Sequence, residues 1–422
     1  LSGAIEGSSG LGGAGGPSEP SEPHDVCVVG LGYVGLPTAA VLATHGLAVA
    51  GVDLRADVLQ TINAGQVHIV EPELDALVRA AVAAGSLRAL PEPPHARTFL
   101  ICVPTPFREG HQPDLRHVEA ATRALVPVLR PGNLVVLEST VPPTTTRSLV
   151  AGVLAEAGLV AGRDVYVAHA PERVLPGAVI REVVENARVV GGVTEACTEV
   201  AARFYEGFVK GEVHRCRAET AELVKLSENA YRDVNVAFAN ELANVCDRLG
   251  LDPWEVIGLA NQHPRVEILR PGPGVGGHCI AVDPWFIVAT APEDTPLIQA
   301  ARGVNDDRPR KVVARVKELA ERFKRPRVAC LGLSYKPNID DVRESPAVAV
   351  VRALQAELSA ELLVVEPHLR ACPIEGLELC EAEDALRRAD IVVVLVMHRQ
   401  FQRLPKELFT RPSVIDTVGL LT

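Results

Sequence analysis

Residues Asp25–Asp53 read DVCVVGLGYVGLPTAAVLATHGLAVAGVD. An apolar run of strand length leads into Gly30, Gly32 and Gly35, spaced as GxGxxG. An alanine-rich stretch of helix length follows, and a second apolar run ends on Asp53. The spacing predicts strand, tight turn, helix, strand. In that context the motif is a dinucleotide fingerprint, because glycines let backbone approach a pyrophosphate at a helix N-terminus. Tyr33 and Val34 lie inside the turn and join the glycines as candidate cofactor contacts. Asp53 stands where an acid accepts ribose hydroxyls. Arg55 could greet a 2′-phosphate, but Asp53 would repel one, so NAD is expected over NADP.

Working outward, TFLICVP, NLVVLEST, DVYVAHAPE and ARVVGGVT are further strand-like runs with helical stretches between them. The alternation predicts a parallel sheet wrapped by helices, with ARVVGGVT as its last strand and a domain over 25–213. Next, residues 218–250 run without Pro or internal Gly and end on Gly250, which predicts one long helix or two nearly continuous ones. Apolar residues nearly encircle it, so burial on several sides is expected, as is a role as spine and dimer contact. It belongs to a helical middle domain, 214–310. The stretch TPLIQAARGVNDDRPRKVVARVKELAERF reads as helix with a break near Arg308–Pro309. A second sheet unit spans 311–422. The fold class expected is α/β: two Rossmann-like doubly wound domains joined by a long central helix and helical middle domain. The Gly-, Ser- and Pro-rich residues 1–24 predict a disordered tail, without the basic start of a secretory signal.

The chain has 422 residues, 47% of them hydrophobic, and a net charge of −11. That balance suits a globular protein and argues against a nucleic-acid binder. No apolar run reaches about 18 residues, so no membrane span is expected. Nine cysteines, an odd number with no CxxC pair, several of them inside apolar runs, read as reduced cytoplasmic thiols rather than disulfides or a metal site.

Several residues point to chemistry. Val103, Pro104 and Thr105, with Ser139 and Thr140, end later strands, where ligands of such sheets bind; strand-end capping by the hydroxyls is the bland alternative. GPGVGGHCIAVDPWF (272–286) sets Cys279 in a glycine-rich loop. A thiol beside a dinucleotide unit suggests aldehyde oxidation through a thioester, with Asp283 as candidate to orient or activate water. His278 is a structural or substrate contact. Lys225 and Asn229 are spaced i, i+4 and share a helix face, where they could stabilise an oxyanion or form a solvated stripe. Glu172 could be a general base. A simple hydroxy-acid dehydrogenase needs no such thiol, and a non-catalytic nucleotide sensor would need neither Cys279 nor Lys225.

These stretches, with CVPTPF, LESTVPPTTT, HAPERVLPG, ELVKLSENAYRDVNVAFANEL and GLSYKPNIDDVRESP, resemble the UDP-glucose/GDP-mannose dehydrogenase family from about Asp25 to the C-terminus. The resemblance implies a cytoplasmic homodimer using NAD and a UDP-sugar. It implies Cys279 as thioester nucleophile, Lys225 and Asn229 as oxyanion stabilisers, Asp283 and Thr140 acting through water, and Glu172 at an acid/base position. It further implies Arg343 as a cofactor contact, and Arg173, Val174, Arg265, Gly276, Tyr335 and Lys336 as substrate contacts. Within the family, GHCIAVDPWF and AYRDVNVAFANEL resemble the branch that oxidises C6 of UDP-N-acetylmannosamine for surface polysaccharides. Pro176 and Val282 depart from the glucose-oxidising branch. UDP-N-acetylglucosamine and UDP-glucose are the alternative substrates.

Overall fold

The computed structural model describes residues 24–175, 177–277 and 280–422. The chain divides into two compact units. The first holds residues up to Pro104, with His117–Ser139 and Leu149–Arg217; the second holds Thr105–Arg116, Thr140–Ser148 and Ala218–Thr422. Thr105 and Thr140 therefore leave the sheet from which they emerge and fold with the second unit.

The first unit is an eight-stranded sheet: β1 (His24–Val29), β2 (Val49–Val52), β3 (Leu87–Leu90), β4 (Ala96–Ile101), β5 (Leu134–Leu137), β6 (Tyr166–His169), β7 (Arg188–Gly192) and β8 (Val213–Arg217). The spatial order is β3-β2-β1-β4-β5-β6-β7-β8. The chain switches sides between β1 and β4, which opens the crevice where such sheets bind ligands. His24, expected in the tail, belongs to β1, and residues 1–23 lie outside the described ones. Two expectations for this sheet are corrected. It is not wholly parallel, because β7 runs antiparallel to β6. Nor is ARVVGGVT its last strand, because β8 pairs alongside β7. β8, like β3, was missed because an edge strand is half solvated. Its burial alternates or is sparse, and it lacks an apolar run.

The second unit carries β9 (Arg327–Leu331), β10 (Glu361–Val365), β11 (Ile391–Val394) and β12 (Ser413–Asp416), all parallel, in the order β10-β9-β11-β12. Before them comes one continuous helix, Ala218–Leu249, which stops at Gly250 with φ +69°. Its buried residues are mostly small or polar, among them Ala221, Glu222, Ala230, Asp233, Ala237, Asn240 and Ala243, with Leu226 the one large apolar side chain. Burial on several sides is not what one chain shows. Tyr231, Phe238 and Val245, seven residues apart, are 72%, 56% and 47% exposed.

The predicted break at Arg308–Pro309 is absent, and Pro296–Ala320 is one helix with Pro309 inside it. Proline removes one hydrogen bond at the Asn305 carbonyl, but tertiary contacts hold the two turns that lead into it. Arg302 meets buried Asp233 at 2.7 Å, the Asn305 amide donates to the Asp233 carboxylate at 2.8 Å, and Arg308 donates to the Gly272 carbonyl at 3.0 Å. Among the described residues no helix is long and apolar enough to cross a membrane.

Candidate active site

In the first unit the fingerprint turn is built as its glycines require. Gly30 has φ +93°, and a Cβ there would lie 2.6 Å from the Cys102 carbonyl oxygen. A Cβ at Gly35 would lie 1.8 Å from the Gly30 oxygen. Gly32 differs: nothing lies within 4 Å of its Cβ position, so it faces open space. Helix Gly35–Thr44 starts here with no side-chain cap, which leaves its N-terminal field for an anion. Asp53 accepts from the Leu31 N–H and the Arg55 N–H, each at 3.0 Å, and so braces the turn. The Arg55 guanidinium is paired with Asp57 at 2.5 Å and is exposed. These residues fit a dinucleotide with free ribose hydroxyls: open space over Gly32, an acid at the ribose position, and an arginine already engaged.

The strand-end hydroxyls are used internally. Ser139 Oγ donates to the Val103 carbonyl at 2.7 Å, and Thr105 Oγ1 donates to the Thr140 carbonyl at 2.7 Å. Glu172 is not a solvated loop carboxylate. It is buried, one oxygen accepts from the Arg173 N–H at 2.7 Å, and the other lies 2.7 Å from Arg188. Arg188 is itself buried and stands over the Tyr205 ring at 5.5 Å. Tyr205 donates to Glu138 at 2.6 Å, and the Cys102 thiol to the same carboxylate at 3.2 Å. Burial pushes the Glu138 acid above its ordinary range, against the pull of Arg188. One buried cation thus organises the ends of β4, β5 and β6. Sequence reasoning missed it because Arg188 opens a strand and looks like a solvated flank.

In the second unit the helix face predicted at Lys225 and Asn229 meets Asp283. The Asn229 amide donates to Asp283 Oδ2 at 2.6 Å. Asp283 is 3% exposed, at the start of helix Asp283–Thr290. Burial pushes its pKa up to about 6, against the opposing pull of Asn229 and of the Lys225 charge. A carboxylate that titrates near pH 6 can exchange a proton, and the cation and amide on the facing helix can stabilise an oxyanion.

One turn before Lys225, Glu222 is buried. It accepts from the N–H groups of Thr144 and Thr146 at 2.6 and 2.7 Å, and from Thr146 Oγ1 at 2.6 Å. It thereby anchors the excursion that begins at Thr140, including Thr144 in its left-handed conformation, φ +77°. Only the i, i+3 spacing to Lys225 hinted at it.

The loop leading to the thiol is tethered at its base. The Gly272 N–H donates to Asn240 at 2.9 Å, and its carbonyl accepts from Arg308. Its later glycines meet protein. A Cβ at Gly276 would lie 2.4 Å from the Glu344 oxygen, and one at Gly277 2.7 Å from the Tyr335 ring. Close packing against the 335–346 segment accounts for these glycines. His278, Cys279 and Pro176 lie outside the described residues. Arg265 is exposed on a turn, and Arg343 is engaged by Asp341 at 2.5 Å. Lys336 and Tyr335 are half-buried on one loop, and Arg173 and Val174 follow Glu172 on another.

Three domain profiles of one family match in order: its NAD binding domain over residues 24–209, its central domain over 219–307 and its UDP binding domain over 329–422. The chain belongs to the UDP-glucose/GDP-mannose dehydrogenase family. It is an NAD-dependent nucleotide-sugar dehydrogenase. The hydroxy-acid dehydrogenase and sensor readings are thereby set aside.

Among family members, the NDP-N-acetyl-D-galactosaminuronic acid dehydrogenase of Ralstonia nicotianae is 55% identical over 404 residues, covering 94% of this chain and 96% of its own. The UDP-N-acetyl-D-mannosamine dehydrogenase of Campylobacter jejuni is 49% identical over 393 residues, covering 90% and 96%. The solved UDP-D-ManNAc dehydrogenase of Pyrococcus horikoshii superposes with a TM-score of 0.87 at 38% identity, covering 94% and 96%.

The family's UDP binding domain repeats the fingerprint geometry in altered form. Gly332 has φ +95°, close to Gly30, and its N–H reaches the Val365 carbonyl at 2.8 Å as that of Gly30 reaches Val52 at 2.7 Å. Where Gly35 would recur stands Pro337, and where Asp53 would recur stands buried Glu366, whose oxygens take the Leu333, Ser334 and His368 N–H groups and the His398 ring. Three of these donors crowd one oxygen and the side chain is buried, whereas Asp53 is half-buried with one donor on each oxygen, so Glu366 is the less accessible of the two to a ribose.

Proposed function

We propose that this enzyme oxidises the C6 hydroxyl of a UDP-2-acetamido sugar to the carboxylate, with UDP-N-acetylmannosamine as substrate, in the cytoplasm and for surface polysaccharide. The observation that carries the chemistry is the Asp283–Asn229–Lys225 cluster: a buried carboxylate with a pKa of about 6, hydrogen-bonded to one of two polar groups on a single helix face. The Gly30–Gly35 turn and Asp53 would hold NAD, which would supply the hydride acceptor for each of two oxidations, one NAD molecule being exchanged for another between them. Cys279 adds to the aldehyde carbon, and loss of hydride from that adduct leaves a thioester. Lys225 and the Asn229 amide stabilise the oxyanions formed on addition and hydrolysis. Asp283, ionised above about pH 6, takes the proton from the hydrolytic water, which the Thr140 hydroxyl helps to hold. Glu172, engaged by Arg188 and by the Arg173 N–H, serves to hold its loop against the sugar rather than to move the proton.

Relatives support the 2-acetamido class. The mannosamine assignment rests on those named for UDP-N-acetyl-D-mannosamine; a second reading, the galacto epimer, rests on the 55% identical relative. The exposed Tyr231–Phe238–Val245 stripe supports a homodimer through the central helix, since a second copy would cover it. The test is NADH formation with UDP-N-acetylmannosamine, UDP-N-acetylgalactosamine, UDP-N-acetylglucosamine and UDP-glucose, with product mass. Two NADH per sugar and highest efficiency on the manno epimer are expected. Highest efficiency on the galacto epimer moves the assignment to the second reading, and on glucose removes the 2-acetamido class.

A further inference from the structure

The loop Leu333–Asp341 carries Tyr335 and Lys336 and is held from behind by a buried pair, His398 and Glu366. His398 Nδ1 accepts from the Asn338 N–H at 2.9 Å. Its Nε2 therefore bears the ring hydrogen and donates to Glu366 Oε2 at 3.0 Å. The same Glu366 oxygen accepts from Leu333 N–H at 2.7 Å and Ser334 N–H at 3.1 Å, at the loop's start. Burial works against the Glu366 charge, but His398 and the backbone donors outweigh it and keep the acid below its usual range. Both side chains are almost fully buried. The far end is locked in return, because the Asn338 side chain accepts from the Arg399 N–H at 2.9 Å. Asn338 sits at φ +64°, a conformation that needs such support.

The pair thus grips Leu333, Ser334 and Asn338, on either side of Tyr335 and Lys336. Tyr335 in turn lies against the glycines of the thiol loop. We propose that His398 and Glu366 are positioning residues that set the uridine diphosphate-binding loop and, through Tyr335, the approach of the thiol loop. This rests on the reading that the UDP binding domain holds substrate through that loop. Neither residue has a free polar group to offer a ligand: both ring nitrogens and both carboxylate oxygens are already engaged.

Titration calorimetry of the full chain with UDP, and separately with NAD, tests this. His398→Ala leaves the Asn338 N–H unpaired. It should weaken UDP about tenfold, the scale of one lost buried hydrogen bond, with NAD affinity unchanged. His398→Asn keeps an acceptor and a donor and should recover much of the loss, and added imidazole should partly restore His398→Ala. Turnover measurements should show KM for the UDP-sugar rising more than kcat falls. Unchanged UDP affinity in His398→Ala overturns the proposal, as does equal weakening of UDP and NAD, which marks a merely structural role. Failure of both His398→Asn and imidazole to rescue overturns it too. If the unaltered protein binds NAD but no UDP, the substrate reading itself fails, a result distinct from any of these.

Discussion

Replacing Asp283 by Asn should separate the catalytic value of that carboxylate from its cost to the fold. Its pKa in the folded chain is about 6, against an ordinary value of 3.8, with burial as the main cause. A raised acid favours the folded state while it is protonated. That stabilisation is complete below about pH 4 and is lost as the pH rises through 6. A shift of about two units corresponds to about 3 kcal/mol of stability missing at pH 8 relative to pH 4. Asparagine keeps an acceptor for the Asn229 amide and has no charge to bury. Asp283→Asn should therefore melt about 3–4 °C above the unaltered enzyme at pH 8, and the gap should close towards pH 4.5. Turnover should meanwhile fall by about a hundredfold or more, the range for a lost general base. In the unaltered enzyme, kcat/KM should rise with pH through about 6. Thermal unfolding of both proteins from pH 4.5 to 8.5 reads the first effect. A melting difference that is flat with pH, or a variant less stable at pH 8, would refute the burial argument.

Lys225→Ala should lower turnover about a hundredfold with a smaller effect on substrate affinity, as for a lost oxyanion donor; a change confined to KM would make it a binding lysine. Cys279→Ala should bind NAD normally and form no uronic acid, as product mass would show; undiminished acid formation would remove the thioester route. Glu222→Ala leaves the Thr144 and Thr146 N–H groups without their acceptor and should destabilise the fold by about 3 kcal/mol, measurable by denaturant titration. NAD should be preferred over NADP, and the double change Asp53→Asn, Asp57→Ala should narrow that preference by removing one carboxylate at the ribose and freeing Arg55; comparable efficiency with NADP in the unaltered enzyme would contradict the Asp53 argument.

Much of this protein follows from local pattern. Gly30, Gly32, Gly35 and Asp53 define a strand–turn–helix–strand unit because tight turns and close backbone approach leave few choices of residue. The helix from Ala218 to Leu249 was legible because nothing in it can stop a helix before Gly250. The i, i+4 spacing put Lys225 and Asn229 on one face. Local pattern failed where distant residues decide. Pro309 should interrupt a helix, yet Asp233 and Gly272, far away in the chain, hold the residues just before it. β8 has no apolar run, because an edge strand buries only part of one face. Glu172 and Glu222 look like solvated acids until Arg188 and the Thr144–Thr146 backbone arrive to satisfy them. Asp283 is an ordinary carboxylate in sequence, and only its removal from water, opposite Asn229, raises it to about 6. Desolvation and long-range hydrogen bonding depend on what folds against a residue, so the tertiary structure alone assigned those groups their states.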